Sequence, residues 1–135
     1  MKKLVLLSIL ALFTNVVLAQ TESYQLSSHI LDVSKGTPAS GVKIKLEKLT
    51  MENDQWVFVD EKVTDKNGRI TDFLKSSPSN LGIYKLTYFT MPYFKEANTK
   101  SFYPFIEVVF EITDTGHYHV PITLSAYGYS TYRGN

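Results

Sequence analysis

Apolar and polar residues alternate along most of this chain, and that period of two is the feature that most limits its fold. The segment VKIKLEKL, residues 42–49, is the clearest case. Val42, Ile44 and Leu46 fall on one face, and lysines and a glutamate fall on the other. A strand with one apolar and one polar face is typical of an antiparallel sheet that is solvated on one side. The alternation therefore predicts an all-β protein.

Further segments of this kind are separated by turn signals, of which Asn67-Gly68 is the strongest. The predicted strands are residues 25–33, 42–49, 56–64, 69–74, 83–89, 106–113, 117–125 and 129–135. Residues 36–41, GTPASG, are predicted to be a loop, and one helix is predicted at residues 91–100 with Pro92 in its first turn. Short strands at regular spacing predict a single-domain antiparallel β-sandwich with one short helix.

The first residues have the pattern of a secretory signal peptide. Lys2 and Lys3 precede an apolar run, and the small-residue site Val17-Leu18-Ala19 follows it. We predict cleavage after Ala19, so that residues 1–19 are the signal peptide and residues 20–135 are the functional domain. The alternative is a membrane helix, but Asn15 interrupts the apolar run, which is short for a bilayer. This pattern predicts a periplasmic or secreted location.

Charge and cysteine content exclude several classes of function. The chain has 14 Lys and Arg against 13 Asp and Glu, and without Lys2 and Lys3 the count is 12 against 13. This balance argues against nucleic acid or an anionic membrane surface as a partner. The sequence contains no cysteine, which excludes disulfides, thiol catalysis, cysteine–zinc sites and a lipoprotein anchor. Stability must therefore come from the core or from oligomerisation.

The histidines are the best candidates for proton transfer, because imidazole titrates near neutrality. His117 and His119 lie two residues apart on one predicted strand and so share a face. With His29 they could also hold a metal, but this spacing without acidic or cysteine ligands is only a weak indication of a metal site. Arg69 follows the Asn-Gly turn and is either a solvated turn residue or a group that binds an anionic or carbonyl-rich substrate.

Four segments together resemble the 5-hydroxyisourate hydrolase family, the transthyretin-related enzymes of urate breakdown. They are LSSHILD at 26–32, TDKNGRI at 64–70, FYPFIEVVFEI at 102–112 and HYHVPITLSAYGYSTYRGN at 117–135. The last segment is the most specific, because the family characteristically ends on Tyr-Arg-Gly-Ser. The resemblance spans essentially the whole chain after the predicted signal peptide.

The resemblance implies a transthyretin-like antiparallel β-sandwich with one short helix, in a homotetramer built as a dimer of dimers. Active sites would lie in clefts at the dimer–dimer interface. The implied reaction is hydrolysis of 5-hydroxyisourate to 2-oxo-4-hydroxy-4-carboxy-5-ureidoimidazoline, without a cofactor.

Site residues follow from the same resemblance. His29, Arg69 and His119 match the family's catalytic residues, and Tyr132 matches its C-terminal tyrosine. His29, Arg69, Tyr132 and Asn135 are the predicted substrate-binding residues. Asn135 stands where the family has serine; its amide can donate and accept hydrogen bonds but cannot act as a hydroxyl. Which histidine is the general base stays open.

Two other functions compete with the hydrolase. A non-catalytic carrier would use the transthyretin-like fold to bind a small molecule, and the change at Asn135 favours it. The presence of two histidines and an arginine together favours the enzyme, since a carrier has no need of them. An exported interaction domain that presents an edge strand is the third alternative, and it leaves the C-terminal segment unexplained.

Overall fold

The structure is a computed structural model that describes residues 22–135, so the predicted signal peptide at residues 1–19 lies outside the described residues. In this part of the chain the strands are β1 (Tyr24–Asp32), β2 (Thr37–Pro38), β3 (Lys43–Thr50), β4 (Gln55–Val63), β5 (Arg69–Lys75), β6 (Gly82–Phe89), β7 (Ile106–Ile112), β8 (Tyr118–Ser125) and β9 (Gly128–Thr131). The helix is α1 (Thr90–Glu96), and a short 3-10 turn spans Pro78–Asn80. None of these helices is long and apolar enough to cross a membrane.

The strands form two sheets that pack face to face. In the first sheet β1 pairs with β2, β5 and β8, and β9 extends the sheet beyond β8. The second sheet has the order β4-β3-β6-β7. The predicted β-sandwich is confirmed. Every strand pair is antiparallel except β1 and β8, which run parallel and join residues from opposite ends of the described chain.

Two predicted boundaries differ from the structure. The segment predicted as a loop at residues 36–41 contains the two-residue strand β2, which pairs with the end of β1. The helix predicted to reach residue 100 ends at Glu96, because Asn98 adopts a left-handed φ of 50°. Asparagine tolerates this conformation, and backbone hydrogen bonds such as Thr99 N to Phe94 O then close the helix end.

The core lies between the sheets and is built from the apolar face of each strand. Ile44 and Leu46 on β3 are fully buried, as the alternation of that segment predicts. Other side chains in the core cluster are Leu26, Ile30, Phe73, Leu86, Tyr88, Ile112, Ile122 and Leu124. The packing of alternate residues of β1 in this core leaves the intervening residues on the outer surface of the first sheet.

A buried hydrogen-bond cluster ties β1 to β8 on the core side. Ser28 Oγ donates to the carbonyl of Val120 at 2.8 Å, and Tyr88 Oη lies 3.0 Å from Ser28 Oγ and 3.1 Å from the same carbonyl. Because Ser28 faces the core, its neighbours Ser27 and His29 face outward. The outer face of the first sheet is therefore where the predicted site residues of β1 lie.

Candidate active site

Strand pairing brings the three predicted catalytic side chains to one sheet. His29 on β1 lies directly opposite Arg69, the first residue of β5. His119 on β8 pairs with Ser27, which is two residues before His29 and on the same face of β1. Neighbouring strands are about 4.8 Å apart, so the three side chains lie across adjacent strands of a single surface. The structure thus places His29, Arg69 and His119 together on the outer face.

The turn before β5 fixes the position of Arg69. The Asp65 carboxylate accepts hydrogen bonds from the backbone N–H groups of Asn67 at 2.8 Å and of Arg69 at 2.9 Å. Gly68 has a φ of 68°, and a Cβ there would lie 2.7 Å from the carbonyl oxygen of Ile30. Only glycine fits this left-handed position against β1. The Asn-Gly pair that predicted the turn therefore also holds Arg69 beside His29.

His29 and His119 each have a pKa below the ordinary value for histidine. Burial is the largest cause for His29 and for His119, and the Arg69 guanidinium is the second cause for each. The charge of His29 lowers the pKa of His119 further. His29, Arg69 and His119 are therefore close enough to one another for their charges to interact. Near neutral pH both imidazoles are uncharged and able to accept a proton.

A serine that the sequence analysis did not single out connects the two histidines of β8. Ser27 Oγ lies 2.8 Å from His117 Nε2 and 2.9 Å from His119 Nδ1. The other ring nitrogen of His117, Nδ1, is 3.0 Å from the carbonyl oxygen of Tyr24. The available signal was the spacing Ser27-Ser28-His29, which puts Ser27 on the same face as His29. The pairing partner across the sheet could not be read from that spacing.

The C-terminal segment returns to the same strand. The strand predicted at residues 129–135 ends at Thr131, and after two further residues Gly134 forms an isolated bridge with His119. The Gly134 N–H donates to the His119 carbonyl at 2.9 Å. A Cβ on Gly134 would contact the His119 ring at Cδ2, and it would lie 3.1 Å from Cγ. Gly134 is thus a second residue that the sequence analysis did not assign to the site.

A cavity of about 460 Å³ opens beside this segment, between β7 and β8. His119, Tyr132 and Arg133 contribute to its lining. The Arg133 guanidinium stacks over the Tyr118 ring, with 4.8 Å between its central carbon and the ring centroid. Asn135 is exposed and does not line this cavity. The substrate-binding roles of Tyr132 and Asn135 stay predictions.

His29 and Arg69 lie outside the lining of that cavity. They occupy the open outer surface of the sheet, where His29 is half-buried and Arg69 is exposed. His119 contributes to both regions. We take the open face, rather than the cavity, as the candidate active site, because the two histidines of lowered pKa and the arginine lie together there.

Metal binding was an alternative use of the histidines. Within residues 22–135 no group of three or more His, Asp or Glu side chains is arranged to hold a metal ion. His117 Nε2 and His119 Nδ1 are each hydrogen-bonded to the Ser27 hydroxyl.

The fold and the site define a class of protein: a small two-sheet β-sandwich that carries two histidines of lowered pKa and an arginine on the outer face of one sheet. Such a set can take a proton from water and stabilise a developing oxyanion. Residues 26–134 match the family described as Transthyretin: HIUase/Transthyretin family, in which HIUase denotes 5-hydroxyisourate hydrolase. The chain belongs to the HIUase/Transthyretin family.

Individual relatives agree with this assignment. A probable 5-hydroxyisourate hydrolase of Caenorhabditis elegans is 48% identical over 111 residues, which cover 82% of this chain and 81% of the nematode protein. The solved 5-hydroxyisourate hydrolase of Klebsiella pneumoniae is 37% identical with a TM-score of 0.68, over 82% of this chain and 98% of that one. Sea bream transthyretin in complex with thyroxine is 30% identical with a TM-score of 0.75, over 82% and 94% of the two chains. The transthyretin-like fold and the predicted family are confirmed.

Proposed function

We propose that this protein hydrolyses 5-hydroxyisourate to 2-oxo-4-hydroxy-4-carboxy-5-ureidoimidazoline in urate catabolism. The observation that carries the proposal is the convergence of His29, Arg69 and His119 on one face, with the pKa of both histidines lowered. The names of the nematode and Klebsiella relatives support the same substrate.

The reaction needs a base, an activated water and a group that stabilises negative charge. A neutral imidazole takes a proton from water while the water oxygen attacks a ring amide carbonyl of the substrate. The resulting oxyanion is stabilised by the Arg69 guanidinium. The C–N bond then breaks, the departing nitrogen receives the proton from the imidazolium, and the former carbonyl becomes a carboxylate. His29 and His119 share the base and shuttle roles, and Tyr132 hydrogen-bonds the substrate.

The homotetramer, a dimer of dimers, is part of the proposal. Arg69 is exposed on the outer face, so a single chain does not enclose a substrate there. Large apolar side chains are also exposed on the edge strands β4 and β7, including Phe58 and Val109. A second pair of subunits packed over the outer face would close the site. Light scattering after size exclusion tests this, and a mass of one chain would refute it.

The periplasmic or secreted location is also part of the proposal and rests on the signal-peptide pattern of residues 1–19. Expression of the full sequence followed by mass spectrometry of the purified protein tests it. We expect a mature chain that begins at Gln20. Recovery of the intact sequence from the cytoplasm would refute this location.

A carrier of small molecules is the second candidate, and the likeness to sea bream transthyretin favours it. One assay separates the two. Fresh 5-hydroxyisourate is generated from urate with urate oxidase, the protein is added, and the decay is compared with the spontaneous rate. We expect acceleration, and unchanged decay would exclude the enzyme.

Variants then test the residue assignments. We expect His119→Asn to lower kcat by about 10² to 10⁴-fold, the range of general acid–base catalysis. Arg69→Ala is expected to lower it by about 10² to 10³-fold, as for loss of an oxyanion donor. Lys95→Ala, which removes a cation from α1 instead, is the matched control and should leave the rate unchanged. Parent-like rates in both site variants would refute the assignments.

A further inference from the structure

The Ser27 hydroxyl lies between two imidazoles, and this geometry determines where their protons are. It contacts Nε2 of His117 at 2.8 Å and Nδ1 of His119 at 2.9 Å. Ser27 is buried on the outer side of β1, so water does not readily replace either contact. The Ser27 hydroxyl is a hydrogen-bond partner of the His119 ring at Nδ1.

The direction of each hydrogen bond follows from the Tyr24 carbonyl. A carbonyl oxygen can only accept, so His117 Nδ1, 3.0 Å away, must carry a proton and donate it. In a neutral imidazole the other nitrogen is then an acceptor, so His117 Nε2 accepts from the Ser27 hydroxyl. That hydroxyl has only one proton. Its oxygen must therefore accept from His119 Nδ1, which makes Nδ1 the protonated nitrogen of His119.

We propose that Ser27 and His117 hold His119 in the Nδ1–H tautomer, so that the lone pair on His119 Nε2 is the general base of the hydrolysis. Ser27 and His117 are positioning residues that act through His119. This inference rests on the proposed function for the base role, while the tautomer is a property of the protein by itself. It assigns the water-activating step to His119, whose imidazolium then returns the proton to the departing nitrogen.

The chain of hydrogen bonds also predicts how removal of the Ser27 hydroxyl would change the tautomer of His119. Without the Ser27 hydroxyl, Nδ1–H of His119 loses its hydroxyl acceptor, and the preference for a proton on Nδ1 over Nε2 is weakened. A histidine protonated at Nε2 cannot take a proton from water there. Fixing the wrong tautomer of a catalytic histidine costs about 10⁴-fold in kcat in a serine protease. Removal of the Ser27 hydroxyl does not fix the wrong tautomer but only ceases to favour the right one. We therefore expect a smaller fall in kcat.

The tautomer is measured directly by long-range ¹H–¹⁵N correlation NMR of the ¹⁵N-labelled protein at a pH where its histidines are neutral. We expect a protonated Nδ1 and an unprotonated Nε2 for His119 in the parent and in Ser27→Thr, which keeps the hydroxyl. Ser27→Ala and His117→Ala are expected to shift His119 toward the Nε2–H form. A parent His119 protonated at Nε2 would overturn the inference.

Kinetics on the same proteins test the base role. Ser27→Ala is expected to lower kcat by about 10²-fold, the lower end of general-base effects, with little change in KM. Ser27→Thr should restore the rate. Ser130→Ala is the matched control, since Ser130 bonds Thr123 at 2.7 Å on β8 and should leave both the tautomer and the rate unchanged.

The two proposals fail in different ways. A parent protein that holds the Nδ1–H tautomer but does not accelerate substrate decay would refute the hydrolase function and the base role, and confirm the tautomer assignment. An active parent whose Ser27→Ala variant keeps both its tautomer and its kcat would refute the inference and leave the hydrolase function intact.

Discussion

Gly134 lies against the imidazole of His119 with no room for a side chain between them. The Gly134 N–H donates to the His119 carbonyl at 2.9 Å, and a Cβ would meet the ring at Cδ2 and lie 3.1 Å from Cγ. Ser27 holds the ring at Nδ1. Two contacts from distant parts of the chain thus set the orientation of one imidazole. The glycine near the end of the sequence is required by this close approach.

Replacement of Gly134 by alanine is therefore expected to turn the His119 ring away from the orientation that the structure shows. A misplacement of about 1 Å in a catalytic group can cost about 10²-fold in rate, so we expect a fall of that order in kcat. The measurement is the decay of freshly generated 5-hydroxyisourate, with circular dichroism to verify that the fold is retained.

Gly128→Ala is the matched control for this substitution. A Cβ at Gly128 would have Ser125 Oγ as its near neighbour at 3.8 Å, an ordinary contact. This variant should keep the parent rate. Equal loss in both variants, or no loss in Gly134→Ala, would contradict the role of the close approach.

Removal of the Arg69 charge is expected to raise the pKa of both His29 and His119. Arg69 is the second cause, after burial, of the lowered pKa of each. NMR titration of the histidine ring signals in Arg69→Gln should show both transitions at higher pH than in the parent. Lys95→Gln, which removes a positive charge from α1, is the control. Unshifted transitions in Arg69→Gln would mean that the guanidinium does not reach the histidines.

The rate of hydrolysis is expected to persist at a lower pH than it would if the histidines had their ordinary pKa. The pKa of His29 and of His119 is lowered, so both stay neutral as the pH falls past the usual histidine value of about 6.5. The acid limb of kcat/KM should therefore lie below that value. A profile measured between about pH 5 and pH 8 tests this. A decline that begins above the ordinary histidine value would contradict it.

The same shifts have a consequence for stability. Because the folded pKa of each histidine is lowered, the unfolded state binds protons first on acidification. The contribution of the two histidines to the free energy of unfolding is complete above the ordinary histidine pKa. It is lost as the pH falls from that value toward the pKa of the folded state. Urea unfolding should show a smaller free energy of unfolding over that interval. Replacement of both histidines by asparagine should flatten this dependence.

The core should be far more sensitive than the surface to loss of a side chain. Leu86 is fully buried between the sheets, and Leu86→Ala is expected to cost about 2 to 5 kcal/mol of unfolding free energy. Leu81 is 48% exposed, and the same substitution there should cost within about 0.5 kcal/mol. Urea unfolding monitored by Trp56 fluorescence measures both. Similar costs at the two positions would contradict the packing of the sandwich.

The strands were predictable because their signals are local. Alternation at 42–49 predicted the buried face of β3, and the Asn67-Gly68 pair predicted the turn before β5. The end of α1 was not predicted correctly. The helix stops because Asn98 adopts a left-handed conformation, and the polar residues on both sides of this position give no signal of it in the sequence. The short strand β2 was missed, because its two residues form a strand only by pairing with β1.

The sequence by itself determined the two-sheet sandwich, the chemistry of the predicted site residues and, through four segments, the resemblance to the family. Alternation, turn residues and side-chain types are properties of the chain that need no partner. The tertiary structure decided which groups meet. Parallel pairing of β1 with β8 brings Ser27 to His117, 90 residues away in sequence, and carries Gly134 back to His119. Hydrogen-bond direction and steric fit depend on that convergence, because they arise only between groups that the fold has placed in contact.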